Sequence, residues 1–282
     1  MRDGYAISSK PTRETNMEQV VRDMVGRSIT EYYPGRTNEP GEIVLEVKNF
    51  CQDGLFNNIS FKLRKGEILG VAGLMGAGRT EIMRALFGVD SCKHGEVYLH
   101  GKKVCIKKPE DAIKAGIGFI TENRKSEGLI LDFSISRNIA LPSVDTFAKR
   151  SVINAKNETA FSEALSKKLG VKTASIDLEA GALSGGNQQK VVIAKWIGMN
   201  PSIIIMDEPT RGIDVGAKRD IYDLMNELTS QGVAIIMVSS ELPEVIGMSD
   251  RILVIHEGKI AGELDHEEAT QEKIITLATG GQ

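Results

Sequence analysis

Eight consecutive residues, Gly73-Leu74-Met75-Gly76-Ala77-Gly78-Arg79-Thr80, place three glycines, a guanidinium and a hydroxyl at the spacing of a loop that wraps a phosphate. The pattern is G-x-x-x-x-G-[K]-[ST] with arginine at the lysine position. Glycines let the backbone close around an anion with its N–H groups turned inward, and a helix starting at once adds favourable potential there. Thr80 is placed to offer its hydroxyl to a magnesium ion. The flanks agree with this chemistry. Ile68 to Ala72 is an apolar run of strand length, and Glu81 to Leu86 reads as the first turns of a helix.

Two further groups could act on what such a loop holds. Ile203-Ile204-Ile205-Met206-Asp207-Glu208 is an apolar strand ending in two carboxylates. A strand buried on both faces reads as continuous apolar sequence, and ligands of open α/β sheets bind beyond the carboxyl ends of the strands. Asp207 is therefore expected at a metal site, and Glu208 is expected to orient or deprotonate an attacking water. Leu183-Ser184-Gly185-Gly186-Asn187-Gln188-Gln189 places a serine of N-cap type and two glycines ahead of a helix expected to run to about Gly198. Such a helix start can also accept a phosphate. A second anion site is redundant for one nucleotide, but it makes sense if the helix reaches a nucleotide held by another domain.

These groups need a scaffold, and the composition permits one. The chain has 282 residues, 41% hydrophobic and 26% charged, ordinary values for a globular protein with a sizeable core. A formal charge of −3 argues against a nucleic-acid partner. Cys51, Cys92 and Cys105 lack metal-ligand spacing and are expected to be reduced thiols. There is no apolar run of about 18 residues and no signal-peptide order at the N-terminus, so any membrane role is expected to come through a partner.

Along the chain, residues 1–41 are expected to be a tail and linker, and 42–282 the main domain. Gly4, Val20-Val21 and Gly26 match Gly258, Ile274-Ile275 and Gly280 at one constant offset, an internal repeat whose first copy is almost wholly absent. This predicts a helix from about Asn16 to Val25. Tyr32 to Gly41 is turn-rich linker. Strands are expected at Val44–Val47 and Ile59–Leu63 around a turn at Asp53-Gly54. A hairpin is expected around His100-Gly101, a short helix at 109–114 and a buried strand at 116–120. Between about Asn123 and Ala182 strands are expected to vanish in favour of helices, notably 154–169, before strands and helices alternate to the end. His94, His100, His256 and His266 read as surface residues, and Trp196 as packing against the helical insertion. Asp265 to Glu268 is expected to open the last helix.

The phosphate loop, Leu-Ser-Gly-Gly-Asn-Gln-Gln and Ile-Met-Asp-Glu-Pro-Thr, in this order and separation, resemble an ABC transporter ATPase domain. Asp207 to Lys218 and Val238 to Val245 resemble more narrowly the second half of the tandem ATPase subunit of bacterial monosaccharide importers, the ribose type above all. The resemblance covers roughly residue 42 to the end. It implies a P-loop NTPase fold of the α/β class: a mostly parallel sheet with flanking helices, an antiparallel β subdomain and an inserted α-helical subdomain at about 123–200. It also implies ATP and Mg2+, a missing N-terminal ATPase half, a membrane permease dimer and, indirectly, a sugar-binding protein. The implied location is cytoplasmic, at the inner face of the cell membrane. By this resemblance Gly73 to Glu81 surround the phosphates, Thr80 and Asp207 hold the metal, and Glu208 is the catalytic carboxylate. Leu183 to Gln188 form the signature that serves the partner's nucleotide, and Asp214 belongs to the D-loop that speaks across the dimer. Glu122 falls where a glutamine usually contacts magnesium and the permease, and Ser240 where a histidine usually touches the γ-phosphate. No clear adenine-stacking aromatic precedes the phosphate loop; Phe50 and Phe56 are the candidates, and they also read as core.

The departures bear on mechanism. Arginine at position 79 replaces a compact point charge with a longer planar fork. Ser240 cannot bring the charge or extra donor of a histidine, and a lost transition-state contact of this kind costs ~100-fold or more in rate. The expectation is a division of labour: this half holds a weak or regulatory site, and its complete signature finishes the active site of the other half. Two alternatives belong to other classes, a non-transport ABC protein acting on DNA or the ribosome and a module that binds ATP without hydrolysing it. The first would need coiled-coil insertions or basic arms, which this chain lacks.

Overall fold

A computed structural model describes residues 6–15, 33–35, 39–149 and 152–281. The helix expected at Asn16–Val25, and with it most of the N-terminal repeat, lies outside the described residues. The core is a six-stranded sheet in the order β12-β11-β3-β10-β9-β6. Its strands are β3 (Ile68–Gly73), β6 (Ile117–Ile120), β9 (Ile203–Asp207), β10 (Ala234–Val238), β11 (Arg251–His256) and β12 (Lys259–Asp265). All neighbours pair in parallel except β12, which returns antiparallel on β11. Every residue of β6, β9 and β10 is buried, which explains why these segments read as unbroken apolar runs.

A second, antiparallel sheet runs β2-β1-β4-β5, built from β1 (Ile43–Gln52), β2 (Phe56–Arg64), β4 (His94–Leu99) and β5 (Lys102–Val104). In β2 buried and exposed residues largely alternate, as expected of a strand with one face on a core. Phe50 and Phe56 stack on each other at 5.5 Å and are each only 4% exposed. They are core residues and no platform for a base.

The helices are α1 (Arg79–Leu86), α2 (Pro109–Lys114), α3 (Ile135–Ala140), α4 (Val144–Phe147), α5 (Ala155–Lys168), α6 (Gly185–Ile197), α7 (Val215–Ser230), α8 (Leu242–Met248) and α9 (Gln271–Ala278). The insertion is helical, α3 packing on α5 and α6, but it is not free of strands. A two-residue ladder joins β7 (Ala148–Lys149) to β8 (Val152–Ile153). So short a ladder leaves no alternation to read in the sequence. Two smaller expectations are also corrected. Trp196 meets Phe87 edge-on at 5.5 Å and covers Gly118 of β6, so it packs on the sheet side. Asp265 ends β12, His266–Glu268 forms a separate 3₁₀ turn, and Thr270 caps α9 instead.

The two sheets are joined by a charge cluster at the start of β3 and β11. Glu67, 1% exposed, accepts from Arg251 Nε at 2.6 Å and from the Arg64 amide at 2.6 Å, while Arg251 Nη2 donates to Lys62 O at 2.9 Å. Removing Glu67 leaves Arg251 Nε and the Arg64 amide without an acceptor in a half-dry setting, although Glu263 still accepts from Arg251 Nη1. Glu67→Ala is therefore expected to lower unfolding free energy by about 3 kcal/mol, read as a lower urea midpoint at unchanged slope.

Candidate nucleotide site

The sheet register brings the chemistry together. Val71 of β3 lies opposite Val238 of β10, and Val238 lies opposite Asp207 of β9. Ile120 at the end of β6 lies opposite Met206. Four parallel strands thus end side by side, and the residues just past each end share one crevice: the glycine loop after β3, Glu208 after β9, Ser240 after β10 and Glu122 after β6. They do share it. Met75 to Glu81, Glu122, Glu208, Arg211 and Ser240 line one cavity of about 450 Å³.

The loop has its shape because only glycine fits at two of its corners. Gly76 and Gly78 have φ of 78° and 97°. At Gly73 a Cβ would stand 2.4 Å from the Ile255 carbonyl oxygen, so β11 presses on the start of the loop. A turn from the Ala77 amide to Leu74 O (3.1 Å) closes it, and Gly78 sits at the N-cap of α1 without a side chain of its own. Gly73 and Leu74 do not line the cavity, and Met75, which does, is 98% exposed.

Beneath the loop, Asp207 is 1% exposed, and neither carboxylate oxygen has a hydrogen-bond partner. The Thr80 hydroxyl is near enough to favour the ionised form, although it does not complete a hydrogen bond to either oxygen. Burial is the larger effect and pushes the Asp207 carboxyl up to about 6. Two orphaned buried oxygens beside a threonine hydroxyl are the donor set a hard divalent cation takes.

Glu208 adopts φ 49°, an uncommon conformation for a residue with a Cβ, fixed by its amide donating to Val238 O at 2.9 Å. Ser240 Oγ donates to Glu208 Oε2 at 3.2 Å. Burial raises the Glu208 pKa, and Ser240 and Arg79 pull against it. Arg79 reaches away from the loop: its Nη1 donates to Ser239 O at 2.7 Å, and its Nη2 stands 4.0 Å from Glu208 Oε1. The longer guanidinium therefore has partners within the protein.

Leu183 to Gln188 lie outside this cavity. Ser184 occupies the N-cap of α6, but its hydroxyl does not cap the helix and accepts instead from Asn187 Nδ2 at 3.0 Å. Gly186 stands against Ala217 and Gln188 donates to Ala180 O at 3.3 Å. Asp214 caps α7 through a bond from the Ala217 amide at 2.9 Å.

Two residues at this site, Arg211 and Arg124, carry no role in the motifs, and neither does Lys195 farther along α6. Arg211 pairs with Glu122 and lines the cavity. Arg124 donates to Arg211 O at 2.7 Å and Gly212 O at 3.0 Å, and its guanidinium lies against Gly185, tying the segment after β6 to the one after β9 and to the start of α6. Lys195 on α6 donates to Gly128 O at 2.6 Å, and burial pushes its ammonium down to about 8. The available signal was adjacency: Arg124 and Arg211 each sit within three residues of a carboxylate already singled out.

The ABC transporter family profile matches residues 56–211, and the chain belongs to that family. Its relatives include ribose import ATP-binding proteins of Oceanobacillus iheyensis, 61% identical over 281 residues, and of Bacillus subtilis, 61% identical over 282. Both alignments cover 100% of this chain but only 57% of the relative, so the chain spans little more than half the length of the proteins it matches. In fold it is similar to an ATP-binding cassette of an ABC transporter solved in its ADP conformation, with TM-score 0.70, 23% identity and coverage of 85% of this chain and 99% of the other. A dimeric cassette bound to ADP and Pi aligns with TM-score 0.67 at 22% identity, over 79% of this chain and 98% of the other. These likenesses bear out the α/β P-loop architecture.

A carboxyl with a pKa near 6 when folded and 3.8 when unfolded binds more protons in the folded state, so metal-free stability falls as pH rises from about 4 to about 6. Asp207→Asn removes that penalty. It is expected to raise stability above pH 6 by up to about 3 kcal/mol in denaturant titrations, with little change at pH 4, and to remove metal-dependent nucleotide binding.

Proposed function

We propose that this chain is the ATP-binding and hydrolysing cassette of an ABC-type importer for a monosaccharide, ribose, and the C-terminal half of a tandem subunit. The cavity shared by the glycine loop, Glu208 and Ser240 carries this reading. The names of the relatives and the 57% coverage support the sugar and the tandem arrangement. The partners in this reading are an N-terminal ATPase half, a permease dimer at the inner face of the membrane and, through the permease, a sugar-binding protein. Among the described residues no helix is long and apolar enough to cross a membrane.

In this reading residues 1–41 are tail and linker and 42–282 the cassette. Amides of Gly76 to Thr80 hold the β- and γ-phosphates at the start of α1. Thr80 and Asp207 hold Mg2+, which when bound neutralises phosphate charge. Glu208 orients the attacking water and takes its proton, and Ser240 and Arg79 fix where that carboxylate points. Leu183 to Gln188 and Asp214 serve the nucleotide of the other half.

The position of Arg79 favours slow turnover at this site. Its guanidinium is engaged by Ser239 O and lies beside Glu208, so it must leave both to meet a phosphate. In the tandem protein, Ser184→Ala or Gly185→Asp is expected to cut turnover about 100-fold or more, whereas Arg79→Ala reduces it far less. The reverse order in steady-state phosphate release would refute the division of labour.

A further inference from the structure

We propose that Glu244 is a positioning residue for Glu208: it clamps together the two segments that aim this carboxylate, without touching nucleotide or water itself. The inference rests on the nucleotide-site reading above.

Glu244 lies on α8 and is 1% exposed, and it does not line the cavity. Its two oxygens are divided between two chain segments. Oε1 accepts from Thr210 Oγ1 at 2.8 Å, and Oε2 accepts from Ser239 Oγ. Both hydroxyl residues are fully buried. Thr210 lies two residues beyond Glu208, on the far side of Pro209, so holding it holds the chain that leaves the strained Glu208. Ser239 precedes Ser240, whose hydroxyl donates to Glu208, and the Ser239 carbonyl takes Arg79 Nη1 at 2.7 Å. Ser239 Oγ also accepts from the Glu241 amide at 3.0 Å, which anchors the entry to α8.

One buried carboxylate thus reaches each contact on Glu208 through a single intermediate. Removing it leaves the buried Thr210 and Ser239 hydroxyls without their acceptor, and the two segments are no longer held to one group. Burial pushes the Glu244 carboxyl upward, against the hydroxyls of Ser239, Thr210 and Tyr222. An acid held in so dry a place is favoured there by the donors it collects. A misplaced general base slows the chemical step while ground-state phosphate binding, made by the loop amides, is largely spared.

The test is single-turnover hydrolysis of ATP with Mg2+ by excess tandem protein whose other half has its own catalytic carboxylate replaced, together with calorimetric Kd for the non-hydrolysed analogue, for otherwise wild type, E244Q, E244A and an E208Q baseline. E244A is expected to slow hydrolysis about 10- to 100-fold with Kd within about 3-fold of wild type. E244Q, whose amide can still pair with both hydroxyls, is expected to recover to within about 3-fold of wild type. If E244A does not fold, T210A and S239A each cut one arm and are expected to show the same split between rate and Kd. An E244A rate equal to wild type, a Kd loss as large as the rate loss, or wild-type hydrolysis no faster than E208Q would each overturn the positioning role. Failure of wild type to bind the analogue at all would overturn the nucleotide-site reading itself.

Discussion

The parallel register of β6, β9, β10 and β3 is the constraint on which the rest depends. Ile120 against Met206, Asp207 against Val238 and Val238 against Val71 align four strand ends to within a residue or two. A shift by one residue would turn each buried strand's side chains over and move Glu208 and Ser240 out of step with the loop. The register is held by burial. Three of these strands are apolar along nearly their whole length and covered on both faces, so sliding would force Ile204, Ile205, Ile235 and Ile236 into packing holes shaped for other side chains.

Within that frame the site is defined by competition among charges more than by any one residue. Asp207 is buried beneath the loop and its neighbour Glu208 lines the cavity, and burial raises the pKa of both. Arg79 offsets this on the Glu208 side, but from Ser239 rather than from the loop. A lysine has neither the reach nor the fork to bridge those two partners at once. The replacement therefore changes which groups the cation serves, not only how strongly it binds phosphate.

Much of the fold was legible because its signals are local. The run Ile203 to Met206, the glycines at 73, 76 and 78 and the Pro109 helix start each report on their own surroundings, and the strands and helices they predict are present. The faint elements were lost for the same reason: two-residue strands at 148–149 and 152–153 have no periodicity to detect. In the site, motif spacing led to Glu208, and the family resemblance to Ser240 and Glu122. It was blind to long-range partners. Glu244 is 34 residues from Thr210, and Arg124 is 88 from Gly212; only the folded chain makes them neighbours. Phe50 and Trp196 show the opposite limit, since an aromatic's type does not reveal which face it packs on.

The central claim is that a magnesium-bound triphosphate nests against the turn ending at Thr80, facing the carboxylates that close β9. A crystal structure of the chain with Mg2+ and a non-hydrolysable ATP analogue tests it most directly. The account predicts phosphate oxygens on the amides of Gly76 to Thr80, metal density between Thr80 and Asp207, and Glu208 directed at the γ-phosphate. Triphosphate density away from this loop, or metal held without Asp207, would contradict it.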